Sequence, residues 1–260
     1  MTRWLALPGV PPLLALLALL GLWHLAATFF GYNFFPTPGA VFKTLPALFG
    51  EAEAAANIAA SVKRMLAGFA LALAVAVPLG LMMGRSPLVA KLVKPLVATI
   101  YPVPKAALMP IIMLWLGIGD AAKIFVIFIG ASLPLLQHSF GGALAVDQKL
   151  IWSAQAMGLG PVKRLFAVVL PSALPEVMIG CRVGIIMALI VMVSSEMIAR
   201  QSGVGNLLFN SADMALYDTV YAMIVVIAAI GFVADVAFEF VRRRLTFWAE
   251  IHQDPLVPSA

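Results

Sequence analysis

Long stretches without a charged side chain leave this sequence very few ways to fold. Between Arg3 and Lys43 there is no Asp, Glu, Lys or Arg, and residues 65–84 are uncharged throughout. About 20 apolar residues, at 1.5 Å each along a helix, cross a hydrocarbon layer of about 30 Å. Within that layer every backbone N–H and C=O must find a partner, so only helices or a closed barrel can span it. The runs lack the alternation of barrel strands. The chain is therefore expected to be an all-α integral membrane protein. Composition agrees: 63% of residues are hydrophobic and 11% charged, against about 45–50% and about 25% in soluble domains.

Six spans are expected. Residues 12–30 form the first; the run exceeds the roughly 7–15 residues of a signal-peptide core, which favours a retained span over a cleaved leader. His24 within it reads as a packed side chain. Residues 31–61, with Pro36, Pro38 and Pro46 followed by Glu51 and Glu53, read as an external loop with an interfacial helix. Span two is 65–84, and a short basic loop with Arg85, Lys91 and Lys94 leads to span three at 95–117. There Pro102, Pro104 and Pro110 remove donors from a helix interior, so the span should kink or unwind and line a cavity, with Lys105 able to face it. Spans four (124–140) and five (173–198) follow, the latter bearing Glu176, Arg182 and Glu196. Residues 199–218 read as a polar loop, and span six (220–240) carries Asp235 and is stopped by Arg242, Arg243 and Arg244. The domain division is thus a first span and external loop (1–61), a core (62–245) containing a loop at 147–171, and a tail (246–260).

With both termini in the cytosol, ten basic residues fall on the cytosolic side: Arg3, Arg85, Lys91, Lys94, Lys149, Lys163, Arg164, Arg242, Arg243 and Arg244. Five fall outside, namely Lys43, Lys63, Arg64, Lys123 and Arg200. That bias has the sign of the positive-inside rule. The net charge of +5 is scattered singly at the edges of apolar runs, which points to topology rather than nucleic acid. A single Cys181, inside an apolar run, excludes an internal disulfide and a cysteine metal cluster. His24, His138 and His252 lie in different segments without metal-ligand spacing. Glu176 and Arg182, six apart, are poorly placed to pair with each other. Each should find a partner elsewhere, and Arg182, like Lys105, has a second reading as a contact for an anionic solute.

One amphiphilic segment, WSAQAMGLGPVKRLFAVVLPSALP at 152–175, interrupts the apolar spans. Gly158 and Gly160 permit a sharp turn and Pro161 suits the first position of a second helix, giving two short helices on the membrane surface. With the basic pair Lys163 and Arg164, it reads as a docking surface for a soluble partner.

This segment resembles the EAA loop of the permease subunits of binding-protein-dependent ABC importers. Anchored on Gly158, the chain supplies Ala154, Val168, Leu170 and Pro171 in register, with Ser153 as a mild replacement and Trp152 where the family has an acid. Three further stretches are similar to the nitrate, sulfonate and taurine branch of that family: Ser61, Arg64 and Gly68-Phe69; PVPKAALMPIIMLWLGIG from Pro102 to Gly119; and EMIARQSGVGNLL from Glu196 to Leu208. The resemblance implies a type I importer permease fold and a homodimeric or pseudo-dimeric channel in the bacterial inner membrane. It also implies an external solute-binding protein and two copies of an ATPase subunit that binds ATP and Mg. Trp152 would then act as an apolar plug in the ATPase cleft. Glu196, with Gly203 and Gly205, would belong to an outer gate or binding-protein contact, a plain helix-end charge being the other reading. The chain has no phosphate loop of the form GxxxxGK followed by Ser or Thr, so no cofactor, metal site or catalytic residue is expected in it. A secondary transporter is the rival class, although no internal repeat is visible.

Overall fold

The structure, a computed structural model, describes residues 10–31 and 33–249. Arg3, His252 and the tail from residue 250 lie outside the described residues. Among the described residues, all regular structure is helical: α1 Val10–Phe30, α2 Pro38–Gly50, α3 Ala52–Arg85, α4 Pro87–Ile100, α5 Met109–Leu116, α6 Asp120–Ala145, α7 Gln148–Ala156, α8 Pro161–Arg164, α9 Leu170–Ala199, α10 Val204–Asp213 and α11 Tyr217–Leu245. Five helical stretches are long and apolar enough to cross a membrane, and the bent pair Pro87–Ile100 and Lys105–Leu116 brings the number to six.

The helices begin where local chemistry asks them to. Thr37, Ser86 and Asp147 cap α2, α4 and α7, their side chains accepting backbone N–H bonds from Ala40, Val89 and Lys149. Pro38 and Pro87 occupy the first turns behind two of these caps, where a missing N–H costs nothing.

The described residues form two compact units. The larger comprises Val62–Ser195 and the chain from Ile230 onward, with α6 at its centre. On α3 a small residue recurs every fourth position: Gly68, Ala72, Ala76, Gly80 and Gly84. A Cβ at Gly80 would come within 2.6 Å of the Leu136 carbonyl on α6, and one at Gly84 within 2.5 Å of Ala143. On the α9 side, a Cβ at Gly180 would come within 2.6 Å of His138 of α6 and one at Gly184 within 3.2 Å of Leu135. Such close approach supplies the packing energy that hydrophobicity cannot supply between helices in lipid.

The smaller unit holds the N-terminal helices through Ser61 together with Glu196–Ala229. In it the indole N–H of Trp23 on α1 donates to the Pro36 carbonyl at 3.0 Å, and its ring stacks on Tyr221 of α11. Most other α1 side chains with a described environment are exposed, as suits a helix that faces lipid; His24 is among them rather than packed.

Several boundaries differ from the sequence reading. Residues 52–61, expected within the external loop and its interfacial helix, are instead the first turns of the 34-residue α3, because alanines and Glu53 near the N-terminus favour helix. Lys91 and Lys94 lie on α4 rather than in a loop. Residues 204–213 form α10 within the polar, glycine-containing stretch between the last two spans. Arg242, Arg243 and Arg244 sit within the last turns of α11, where cations complement the helix C-terminus, instead of stopping it.

Candidate functional site

The cytosol-assigned loop is built as two helices around one left-handed residue. At the end of α7, Gly158 adopts φ +75°. Its N–H bonds the Gln155 carbonyl and the Leu159 N–H bonds that of Ala154, the paired closure that satisfies a helix C-terminus around an αL glycine. Gly160 needs no such freedom, with φ −64°, and Pro161 opens α8 in its first turn. Ala154 is buried, whereas Trp152, Met157 and Val162 are 60%, 71% and 69% exposed. An apolar surface with Lys163 and Arg164 beside it therefore caps the loop. Arg85, at the end of α3, ties the loop down by donating to the Gln148 side chain at 2.8 Å and the Ala143 carbonyl at 3.1 Å.

From Pro161 the chain continues without a break to Ala199, as one 39-residue helical stretch. Leu165–Val169 is a π-helical turn, closed by the Leu170 N–H on the Leu165 carbonyl. Pro171 cannot donate back along the helix, and the wider turn accommodates its ring. The Ser172 hydroxyl takes the Val168 carbonyl at 2.8 Å. Val168, Leu170 and Pro171 thus lie where the loop runs into the fifth span without a break in the helical stretch.

The third span breaks by 87° between Ile100 and Lys105. Pro102 and Pro104 lie in the break, but Pro110 is in the first turn of α5, so none of the three is interior to a helix. The prolines inside helices are Pro46, Pro78, Pro95, Pro134 and Pro175. Lys105 folds back and donates its ammonium to the Tyr101 carbonyl at 2.6 Å and the Ile100 carbonyl at 3.3 Å, capping α4 at the break.

Glu176 and Arg182 do pair elsewhere. Glu176 meets His138 Nδ1 of α6 at 2.8 Å. Arg182 forms a bidentate pair with Asp235 of α11, at 2.7 and 2.9 Å. These side chains are 51% and 36% exposed, although both lie well inside candidate spans. Around α9 Glu176 and Arg182 are roughly 120° apart, flanking an exposed stripe of Ile179, Ile186 and Ile190.

Glu196 is not an exposed helix-end charge: it is fully buried. Its carboxylate accepts the Ser61 hydroxyl at 2.8 Å and the Gly205 N–H at 3.1 Å. The same Ser61 oxygen accepts the Val204 N–H at 2.8 Å, and Asn57 Oδ1 accepts that of Gly203 at 2.5 Å. The N–H groups of Gly203, Val204 and Gly205 at the start of α10 are thereby met by side chains of α3 and α9. Gly203, at φ +112°, lies so close to the Glu196 carboxylate that any Cβ there would overlap it. Nothing local in the sequence pairs Ser61 with Glu196 or Asn57 with Gly203; the one signal is a Glu followed seven residues later by a Gly-x-Gly before a helix.

Among the described residues there is no cluster of three or more His, Cys, Asp or Glu able to hold a metal. An apolar cavity of about 570 Å³ lies among α3, α9 and α11, with Met65, Phe69, Cys181 and Phe238 in its wall.

The family model described as "Binding-protein-dependent transport system inner membrane component" matches residues 76–247. The chain is 32% identical over 240 residues to the taurine transport system permease protein TauC of Escherichia coli (strain K12), covering 90% of this chain and 87% of that one. It is 29% identical over 248 residues to that strain's putative aliphatic sulfonates transport permease protein SsuC, covering 95% and 94%. Among solved structures, an inward-facing conformation of the MetNI methionine ABC transporter aligns with a TM-score of 0.66 at 16% identity, over 74% of this chain and 95% of that chain, a likeness of fold. With a helical bundle of five or six spans, a two-helix loop fused to one of them, and a family match across residues 76–247, the chain belongs to the inner-membrane components of binding-protein-dependent transport systems and is a permease subunit of an ABC importer.

Proposed function

We propose that two copies of this chain, or this chain and a similar one, enclose a pathway across the bacterial cytoplasmic membrane for a small sulfonate, taurine, nitrate or similar solute. An extracytoplasmic solute-binding protein delivers the solute, and two copies of a separate subunit bind ATP and Mg and supply the work. Both termini lie in the cytosol. The names of the related permeases support the solute class. The observation that carries the coupling scheme is the uninterrupted helical stretch Pro161–Ala199, which fuses the exposed loop to a span. A push on Val162, or on Trp152 and Met157 through the turn at Gly158, is then passed along that stretch to the span.

The half-exposed Arg182–Asp235 pair supports a water-filled or protein-covered face on α9, since an ion pair against lipid is costly. A guanidinium fork matches a sulfonate as well as it matches a carboxylate, so Arg182 is the residue assigned to the solute. Lys105, held by carbonyls, is assigned to the break. Glu196, Gly203 and Gly205 are assigned to the outer gate, which they build from within.

The test is uptake of labelled taurine by the assembled importer in proteoliposomes. Gly158→Leu forces a side chain into the left-handed turn and should abolish ATP-driven uptake while membrane insertion persists. Full uptake by that variant would falsify the role of the loop.

A further inference from the structure

Next to the coupling loop lies a second cavity, of about 670 Å³, whose wall contains Arg85, Lys91, Lys94 and Arg164 and no acidic residue. Four cations around one space repel one another unless an anion enters. Their recorded partners do not supply one. Arg85 donates to an amide and a carbonyl, Lys94 sits over the Phe140 ring at 4.7 Å, and none of the four has a salt bridge among the described residues.

α4 explains how the cavity is reached. Lys91 and Lys94, three apart, share the face that lines it, while Leu88, Leu92 and Leu96, each four apart, form an exposed stripe on the other side. A helix with a leucine stripe and a lysine face is suited to the boundary between acyl chains and headgroups. The space is of the size of a small-ligand site, and its apolar approach favours a ligand that brings acyl chains.

We propose that this cavity binds the phosphate of an anionic phospholipid of the leaflet that faces the ATPase, with the acyl chains lying along Leu88, Leu92 and Leu96. Arg85 and Arg164 supply forked donors and Lys91 and Lys94 supply charge. Gln148 and Gln155 of α7 also line the cavity, so an occupied site braces the coupling loop from behind. Lipid charge then sets how stiffly the loop transmits its motion.

The experiment is thermal unfolding of the detergent-purified importer complex with added phosphatidylglycerol, phosphatidylcholine or inorganic phosphate. Phosphatidylglycerol should raise Tm by a few degrees over phosphatidylcholine, and Lys91→Gln with Lys94→Gln should remove that difference. Lys91→Arg with Lys94→Arg should keep it, which separates lost charge from lost fold. Equal Tm in the two lipids overturns the proposal, as does a phosphatidylglycerol shift that survives the glutamine pair. A shift of equal size from millimolar inorganic phosphate overturns the lipid as the source of the phosphate. Loss of the ATPase subunit from the glutamine variant, with the lipid shift intact, would reassign the cavity to an acidic surface of that subunit.

Discussion

Glu196 shows how a buried charge organises a loop. Its carboxylate, Ser61 and Asn57 together meet the first N–H groups of α10, and Gly203 is the only residue type that fits between them. Gly203→Ala should lower stability by about 3 kcal/mol or more, since left-handed strain of about 1–2 kcal/mol adds to overlap with a carboxylate that cannot retreat; a Tm within a degree of wild type would contradict the geometry. Arg182 and Asp235 call for a different test, because a pair kept for structure and a pair that exchanges a partner respond differently to neutral substitutions. If solute takes the place of Asp235, Asp235→Asn leaves taurine uptake intact or lowers its KM, whereas Arg182→Gln cuts uptake at least about tenfold. The doubly neutral Arg182→Gln with Asp235→Asn carries no unpaired charge and should stay as low as the single Arg182 variant. Recovery of wild-type uptake in the double variant would make the pair structural.

Among the elements, the long apolar helices were legible because lipid leaves a chain no alternative to helix, and the break at Pro102 and Pro104 because two prolines so close together remove donors that a helix interior needs. The loop was legible through Gly158 and Pro161, whose backbone preferences are local. What could not be read were relations across distance: the Ser61–Glu196 bond, 135 residues apart in sequence, and the face to which Lys91 and Lys94 point. The small-residue stripe of α3 was in plain sight yet acquires meaning only once α6 lies against it. Gly80→Val tests that contact. The nearest groups to its new Cβ are the Leu136 carbonyl and Ser139 on α6, backbone that cannot rotate away, so the variant should cost about 1–3 kcal/mol or fail to assemble. The same change at Gly21, with nothing within 4 Å of its Cβ position, should leave Tm unchanged.

At the scale of the molecule, sidedness decides whether the loop can meet an ATPase at all. Two of the five basic residues assigned to the outside, Arg64 and Lys123, turn out to be buried in helices, Arg64 pairing with Asp120 at 2.7 Å. Removing them leaves Lys43, Lys63 and Arg200 against the cytosolic group, so the positive-inside bias grows when these two buried charges are left out. Length makes a second argument. At 1.5 Å per residue, the 39 residues of Pro161–Ala199 extend about 58 Å, nearly twice the hydrocarbon thickness. One end of that stretch must project well beyond the lipid, and the proposed scheme puts the α8 end, next to exposed Met157, in the cytosol. Met157→Cys, in a background where buried Cys181 is replaced by Ala, should react with a membrane-impermeant maleimide in inverted vesicles and not in intact spheroplasts. Met214→Cys, exposed beyond α10, should show the opposite pattern. Labelling of residue 157 from outside would leave the loop unable to reach any nucleotide-driven subunit, and the coupling scheme would fall with it.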